Sequence, residues 1–279
     1  MDLLVTFAVL CAAFVHAIWN AFVKTGDDQL ISITGIAAGA TVTSLIVFPF
    51  STAPDVQSWP YIFASILLHV GYMIALSQAY RYSDFSSAYP IARGAAPVMV
   101  FAWSFVFLQE VLSTREILAV FGILVGIMVF STRKLGAVVN DRKALMYALL
   151  TSLFIACYTI VDGIGVRLSG SVSGYMVWMT TFEVFPLLAY TYARRGPKVF
   201  IALRKNAWPM LFAGMMAVGG YWIIIWAMTQ APIALVAALR ETSIIIAALI
   251  GAFYFKEPSG KRRIIAAIIV CISVVILRL

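Results

Sequence analysis

Residues 232–255 read PIALVAALRETSIIIAALIGAFYF, a run of 24 residues that is apolar almost throughout, with Arg240 and Glu241 near its middle. That length can cross a bilayer as a single helix. A charge at mid-membrane costs about 3 kcal/mol even on lenient insertion scales, so it faces protein or water inside a bundle rather than lipid. Working outward, residues 86–108 form a second apolar span with Arg93 in its first half. Two arginines sunk in corresponding helices predict a polar cavity at the centre of a membrane bundle.

The rest of the composition fits that reading. The 279 residues are 63% hydrophobic and 11% charged, with a mean hydropathy of +0.98, a balance that belongs to a chain embedded in lipid. No stretch is long or polar enough for a separate soluble domain, which argues against a membrane enzyme with an extramembrane active site. Cys11, Cys157 and Cys271 all fall in apolar spans, without a C-x-x-C pair or a His/Cys cluster, and read as packing residues rather than metal ligands. The net charge of +8 sits in short loops beside apolar runs, which points to anionic lipid heads and away from nucleic acid. The first span follows Met1-Asp2 without a basic n-region or an A-x-A site, and reads as a retained helix.

Ten spans of bilayer length can be marked, at 3–23, 30–50, 59–80, 86–108, 114–132, 144–166, 173–193, 207–229, 232–255 and 260–277. Of the 20 Lys and Arg residues, 15 lie in loops after odd-numbered spans and only Arg115, Arg167 and Arg278 on the other side. The positive-inside bias makes the basic loops cytoplasmic and places both termini outside.

The chain also repeats itself. Ala75-Leu-Ser-Gln78-Ala79 matches Ala227-Met-Thr-Gln230-Ala231 at an offset of 152; Arg93 matches Arg240, Glu110 matches Glu257 and Arg115 matches Arg262 at 147. The division falls at residues 1–135 and 136–279. Five spans per unit is an odd number, so the two units insert with opposite orientation. Inverted repeats are a recurrent build of secondary carriers, with the substrate site at the midplane between them.

Several side chains can line such a site. His16, Trp19 and Asn20 share one face of the first span, and Tyr158 and Asp162 sit at i, i+4 on the sixth. They form either a polar, aromatic wall or hydrogen-bonding glue between helices. His69 and Tyr72 share a face of span three, with Tyr221 and Trp222 as counterparts on span eight, and Trp178 and Glu183 lie deep in span seven. Tyr89 borders Pro90, and Pro90 and Pro97 bracket Arg93, so the helix is expected to kink around the arginine. Gly219-Gly220 either loosens span eight for bending or admits a neighbouring helix. The intramembrane ionisable set is Arg93, Arg240, Asp162, Glu183 and Glu241. Either these groups neutralise one another for assembly, or an arginine holds a substrate carboxylate while an acid holds an ammonium or exchanges protons. Glu110 and Glu257 lie at span ends and suit a helix-end or loop-pairing role rather than binding. There is no ATP-binding motif, phosphate-cradling loop, nucleophile elbow or metal constellation. No cofactor and no enzymatic activity are expected, and the energy source is a substrate or proton gradient.

The repeated five-helix unit, the Ala75–Ala79 stretch, the Arg93 span ending in Phe107-Leu-Gln-Glu110, and Gly122 and Gly126 on span five resemble the EamA-type members of the drug/metabolite transporter superfamily. Within it the chain looks most like the YddG-type exporters of aromatic and other amino acids. The tenth span departs from the pattern, with Ile269 and Ser273 in place of the two glycines, so close packing there must rest on Ala266, Ala267 and Cys271. The resemblance implies an all-α polytopic protein of the bacterial inner membrane, built as two inverted five-helix repeats around a central cavity. It would export amino acids by alternating access, with a proton as the candidate coupling ion. Arg240 and Arg93 would orient the charged end of the cargo, and Trp19, Asn20, Tyr72, Tyr89, Tyr158, Trp178, Glu183, Tyr221 and Trp222 would line the cavity. Pro90, Pro97, Gly219 and Gly220 would be the hinges. The rivals are an exporter of drugs or other metabolites, and a membrane scaffold without cargo.

Overall fold

The computed structural model describes residues 1–23, 28–82, 85–131, 141–246 and 261–277. Among them are eleven α-helices and no strand: α1 (Leu3–Val23), α2 (Gln29–Val47), α3 (Trp59–Tyr82), α4 (Phe85–Phe107), α5 (Thr114–Ser131), α6 (Arg142–Leu168), α7 (Val172–Arg195), α8 (Lys198–Lys205), α9 (Ala207–Gln230), α10 (Ile233–Arg240) and α11 (Lys261–Ile276). By length and hydropathy alone, Gln29–Phe50, Val56–Ala79, Arg142–Leu168 and Ala207–Gln230 qualify as membrane-crossing among the described residues.

Local chemistry sets the helix ends. Asp28 caps α2 by accepting from the N–H groups of Leu30 at 3.0 Å and Ile31 at 3.2 Å. Asp141 does the same for α6 through Lys143 and Ala144, and the Ser171 hydroxyl caps α7 through Gly174. Ser113 and Glu116 make a reciprocal capping box at α5. Gly196 ends α7 with φ of 63°, a conformation that costs glycine little and other residues more.

Two features depart from the expected spans. The basic loop after span seven contains the short helix α8, whose Val199 is buried while Phe200 and Ile201 face outward. The span at 232–255 is not one uninterrupted helix, because α10 stops at Arg240. The Glu241 N–H reaches the Ala238 carbonyl at 3.2 Å and Ile244 N–H reaches the Glu241 carbonyl at 3.0 Å, both in i→i−3 register. Helical backbone resumes at Thr242. Such a break is tolerated in a membrane only where protein or a wet cavity surrounds it.

The main packing runs between the segment ending at 131 and the segment starting at 141. Helix α3 packs on α6 as α9 packs on α1; α2 on α9 as α7 on α3; α4 on α6 as α10 on α1. The pairs α2–α7 and α5–α11 are their own counterparts under that exchange. Small residues let these helices approach. A Cβ at Gly214 would collide with the backbone of Ile36, Gly39 and Ala40, and one at Gly39 with the backbone of Met210 and Leu211. On α5, Gly122 lies against Ser273, and Gly126 against Val270 and Ala266. The close face of α11 is therefore Ala266, Val270 and Ser273, and Cys271, expected in that contact, is exposed instead. Threonine and serine hydroxyls join α2 to α7: Thr34 meets Thr191 at 2.7 Å, Thr41 donates to the Thr180 carbonyl at 3.0 Å, and Ser44 bonds the Thr180 hydroxyl. Large apolar side chains such as Phe7, Leu67, Phe105 and Ile268 cover the outside, where lipid would meet them.

Candidate functional site

A cavity of about 150 Å³ lies where α1, α2, α3, α4, α6, α7, α9 and α10 converge. That is room for on the order of ten water molecules. Neither α5 nor α11 contributes a described residue to it. One wall is aliphatic, with Ile33, Ile36, Ala37 and Ala40 from α2, Met73 and Leu76 from α3, and Val218 and Ile224 from α9. The charged lining side chains, Arg93, Arg240, His69 and Glu183, belong to two groups whose other acids, Glu241 and Asp162, are buried behind the lining.

The first group stands at the break in the α10 span. Arg93 Nε donates to Glu241 Oε2 at 2.8 Å, and Arg240 Nε lies 3.4 Å from Glu241 Oε1. One carboxylate thus sits between two guanidinium groups, and the cluster keeps an excess positive charge. Arg93 and Arg240 are 2% and 4% exposed, and both line the cavity. The Arg240 guanidinium also stands 5.8 Å from the centroid of the Tyr158 ring, within cation–π reach.

The second group centres on Asp162, wholly buried on α6. It accepts from the Tyr175 hydroxyl at 2.9 Å and from the Tyr221 hydroxyl, and lies 3.2 Å from His69 Nε2. The other imidazole nitrogen, Nδ1, stands 3.5 Å from Glu183 Oε2. His69 packs against the Tyr158 ring at 4.1 Å, so one seam of contacts runs from Arg93 through Glu241, Arg240, Tyr158 and His69 to the two acids. The i, i+4 spacing of Tyr158 and Asp162 is what puts both on the inner face of α6. At Glu110 the expected helix-end role is visible. Its carboxylate accepts from the N–H groups of Ile233 and Ala234 at the start of α10 and pairs with Arg167 at 3.1 Å. Glu257 lies outside the described residues.

Of the residues singled out in the sequence, the structure brings Tyr72, Arg93, Tyr158, Glu183, Tyr221 and Arg240 to this cavity, together with His16 and His69. Trp178 is not there; it packs with Phe48, Trp59 and Phe182 in an aromatic cluster. Trp222 is not there either: it lines a separate shallow groove with Val172, Ser173, Gly219, Ile223 and Trp226. An indole is satisfied by packing as readily as by a ligand, so its presence in a span does not fix its direction. The side chains of Trp19, Asn20, Tyr89 and Pro90 lie outside the described residues. Pro97 is buried in α4, which runs unbroken through it, and α9 likewise continues through Gly219 and Gly220. A Cβ at Gly219 would meet open space, while Gly220 lies against Ala12 and Val15 of α1. Tyr175, the second phenol on Asp162, had no distinguishing signal in the sequence: it sits in the first turn of its helix, where a tyrosine reads as an interfacial anchor.

The model of the EamA-like transporter family matches residues 3–132 and, a second time, residues 142–279. The chain belongs to the EamA-like transporter family. It is therefore a multi-pass, helical membrane transporter of the drug/metabolite transporter superfamily, with a small-molecule passenger, and EamA-like proteins are carriers rather than enzymes. A solved structure described only as the crystal structure of a protein superposes with a TM-score of 0.73 at 14% identity, covering 98% of this chain and 95% of that one. At that identity the likeness is one of fold alone. No curated protein matches the sequence. The two matches of the EamA-like model bracket the cavity, whose lining comes from both.

Proposed function

We propose that this EamA-like protein exports amino acids, aromatic ones among them, across a bacterial inner membrane by alternating access. The observation that carries the reading is the separation of charge around one cavity: Arg93 and Arg240, paired with the buried Glu241, line one part of it, and Glu183 and His69, backed by the buried Asp162, line another. A free amino acid carries both complementary charges. Its carboxylate would meet Arg240, since Arg93 already donates to Glu241 at 2.8 Å. Its ammonium would meet Glu183, and its side chain the aliphatic wall and the rings of Tyr72, Tyr158 and Tyr221. Arg93 then acts through Glu241, holding the Arg240 guanidinium in place.

The architecture in this reading is ten transmembrane helices in two inverted five-helix repeats, residues 1–135 and 136–279, with basic loops in the cytoplasm and both termini outside. The exchange symmetry of the helix pairs supports it, as does the broken span at Glu241, since carriers of inverted repeats use discontinuous helices at their sites.

Counterflow in proteoliposomes with labelled phenylalanine, threonine and sugar phosphates tests the substrate class. Exchange of the two amino acids is expected, and exchange of sugar phosphates alone would remove the claim. The aliphatic wall favours a second reading, export of an apolar drug or metabolite. Arg240→Ala separates the two, because a carboxylate site loses transport on that change by about 10²-fold or more, the worth of a charge-assisted, desolvated pair, while an apolar-cation site tolerates it.

A further inference from the structure

His69 presents both ring nitrogens to carboxylates, Nε2 to Asp162 Oδ2 at 3.2 Å and Nδ1 to Glu183 Oε2 at 3.5 Å. A neutral imidazole has one N–H and one lone pair. Asp162 takes hydroxyl donors from Tyr175 on α7 and Tyr221 on α9, an environment made for an acceptor-only carboxylate, so the N–H belongs on Nε2. That leaves the Nδ1 lone pair facing a carboxylate oxygen. Two acceptors in that position repel unless a proton lies between them. Glu183 Oε2 is buried, has no hydrogen-bond partner, and its side chain borders the cavity. The other charged or titratable groups around His69 are Tyr158 on α6 and Tyr221 on α9, whose rings lie tilted against the imidazole at 4.1 and 5.4 Å, and Arg240 on α10, with Arg93 on α4 behind it; His16 on α1 and Tyr72 on α3 line the same cavity, and α2 offers it only Ile33, Ile36, Ala37 and Ala40.

We propose that the cavity holds one exchangeable proton between His69 Nδ1 and Glu183 Oε2, and that this proton is the coupling ion. The coupling, though not the proton site, rests on the amino-acid export reading. A substrate ammonium docking at Glu183 needs the same carboxylate that the proton occupies, so arrival of one displaces the other. One proton then returns inward for each amino acid carried out, and no bond other than N–H or O–H is made or broken.

Glu183→Gln is the informative variant, because its amide N–H can satisfy the Nδ1 lone pair without an extra proton. Substrate-free protein near neutral pH should show a protonated carboxyl stretch in the infrared, or an imidazole doubly protonated by nitrogen-15 NMR, and Glu183→Gln should show neither. Absence of both signals from the wild type overturns the site. In proteoliposomes, amino-acid counterflow tests the carrier reading by itself. An internal pH dye should report proton movement opposite to the substrate, and with the membrane potential clamped at zero a pH step of one unit should sustain about a tenfold gradient of a zwitterionic substrate at one-to-one exchange, lost in Glu183→Gln. Counterflow without proton movement leaves the carrier reading standing and overturns the coupling. Absence of counterflow for every amino acid overturns the amino-acid reading and the coupling with it, and the spectra then decide the proton site.

Discussion

Glu241 is the residue on which the positive end of the cavity depends. It is fully buried and stands between Arg93 at 2.8 Å and Arg240 at 3.4 Å. Burying charges is unfavourable, and a buried cluster persists because removing one member leaves the others uncompensated. Glu241→Gln leaves two guanidinium groups without their shared carboxylate and should destabilise the protein by about 3–5 kcal/mol, read as a fall in thermal midpoint. Changing Arg93, Arg240 and Glu241 together to methionine removes the cluster instead of orphaning its members, and should cost far less. If the single and triple variants melt alike, Glu241 is not the keystone of the cluster. Much of this was legible in the sequence, because a guanidinium or carboxylate inside an apolar run can only turn inward. Arg93, Glu183 and Arg240 obey that rule. Trp178 and Trp222 do not, since nothing electrostatic decides which way an indole faces.

At the scale of helices, α2 and α9 meet backbone to backbone at Gly39 and Gly214. Gly214→Ala would drive a methyl group into the α2 backbone, where no rotamer can relieve it, and overpacking of this kind costs about 1–3 kcal/mol. Gly219→Ala, five residues along the same helix, meets open space and should be neutral or slightly stabilising through helix propensity. Equal thermal midpoints for the two variants would contradict the packing described. A second contact joins α2 to α7, where Arg195 Nε donates to Asp28 at 2.6 Å. Burial raises the Asp28 carboxyl, but the Arg195 hydrogen bond and charge, with the N–H groups of Ile31 and Leu30, outweigh it and hold the group below its ordinary value. A depressed carboxyl contributes stability above its unfolded value and loses it as the pH falls through the folded one. Asp28→Asn should therefore melt below the wild type at neutral pH, with the gap closing as the pH falls below about 4. Apolar runs made most helices readable, because hydropathy reports length and burial. The stop at Arg240 and the turn of α8 were not, since the first is a change of hydrogen-bond register inside an apolar run and the second is eight residues among basic neighbours.

On the whole molecule, the pairing of helices says how the chain becomes one body. Each major contact of α1–α5 with α6–α11 has a counterpart with the roles exchanged, and the cavity draws side chains from both segments. In lipid no apolar-burial force pulls helices together, so van der Waals packing and polar contacts hold them. Here much of that packing crosses between the segments: the α5 glycines against α11, Gly39 against Gly214, Thr34 against Thr191, and Glu110 against the first turn of α10. Both charged clusters draw on both segments: Arg93 joins Glu241 and His69 joins Asp162 from the first, beside the Arg240, Tyr175 and Tyr221 that the second itself supplies. Residues 1–135 and 136–279 expressed separately should then be protease-sensitive and should not melt cooperatively. Expressed together, they should copurify through a tag on either one and recover most of the thermal midpoint of the intact chain. A cooperative transition in residues 1–135 alone would show that packing within that segment suffices, and that the crossed contacts arrange the cavity without holding the fold.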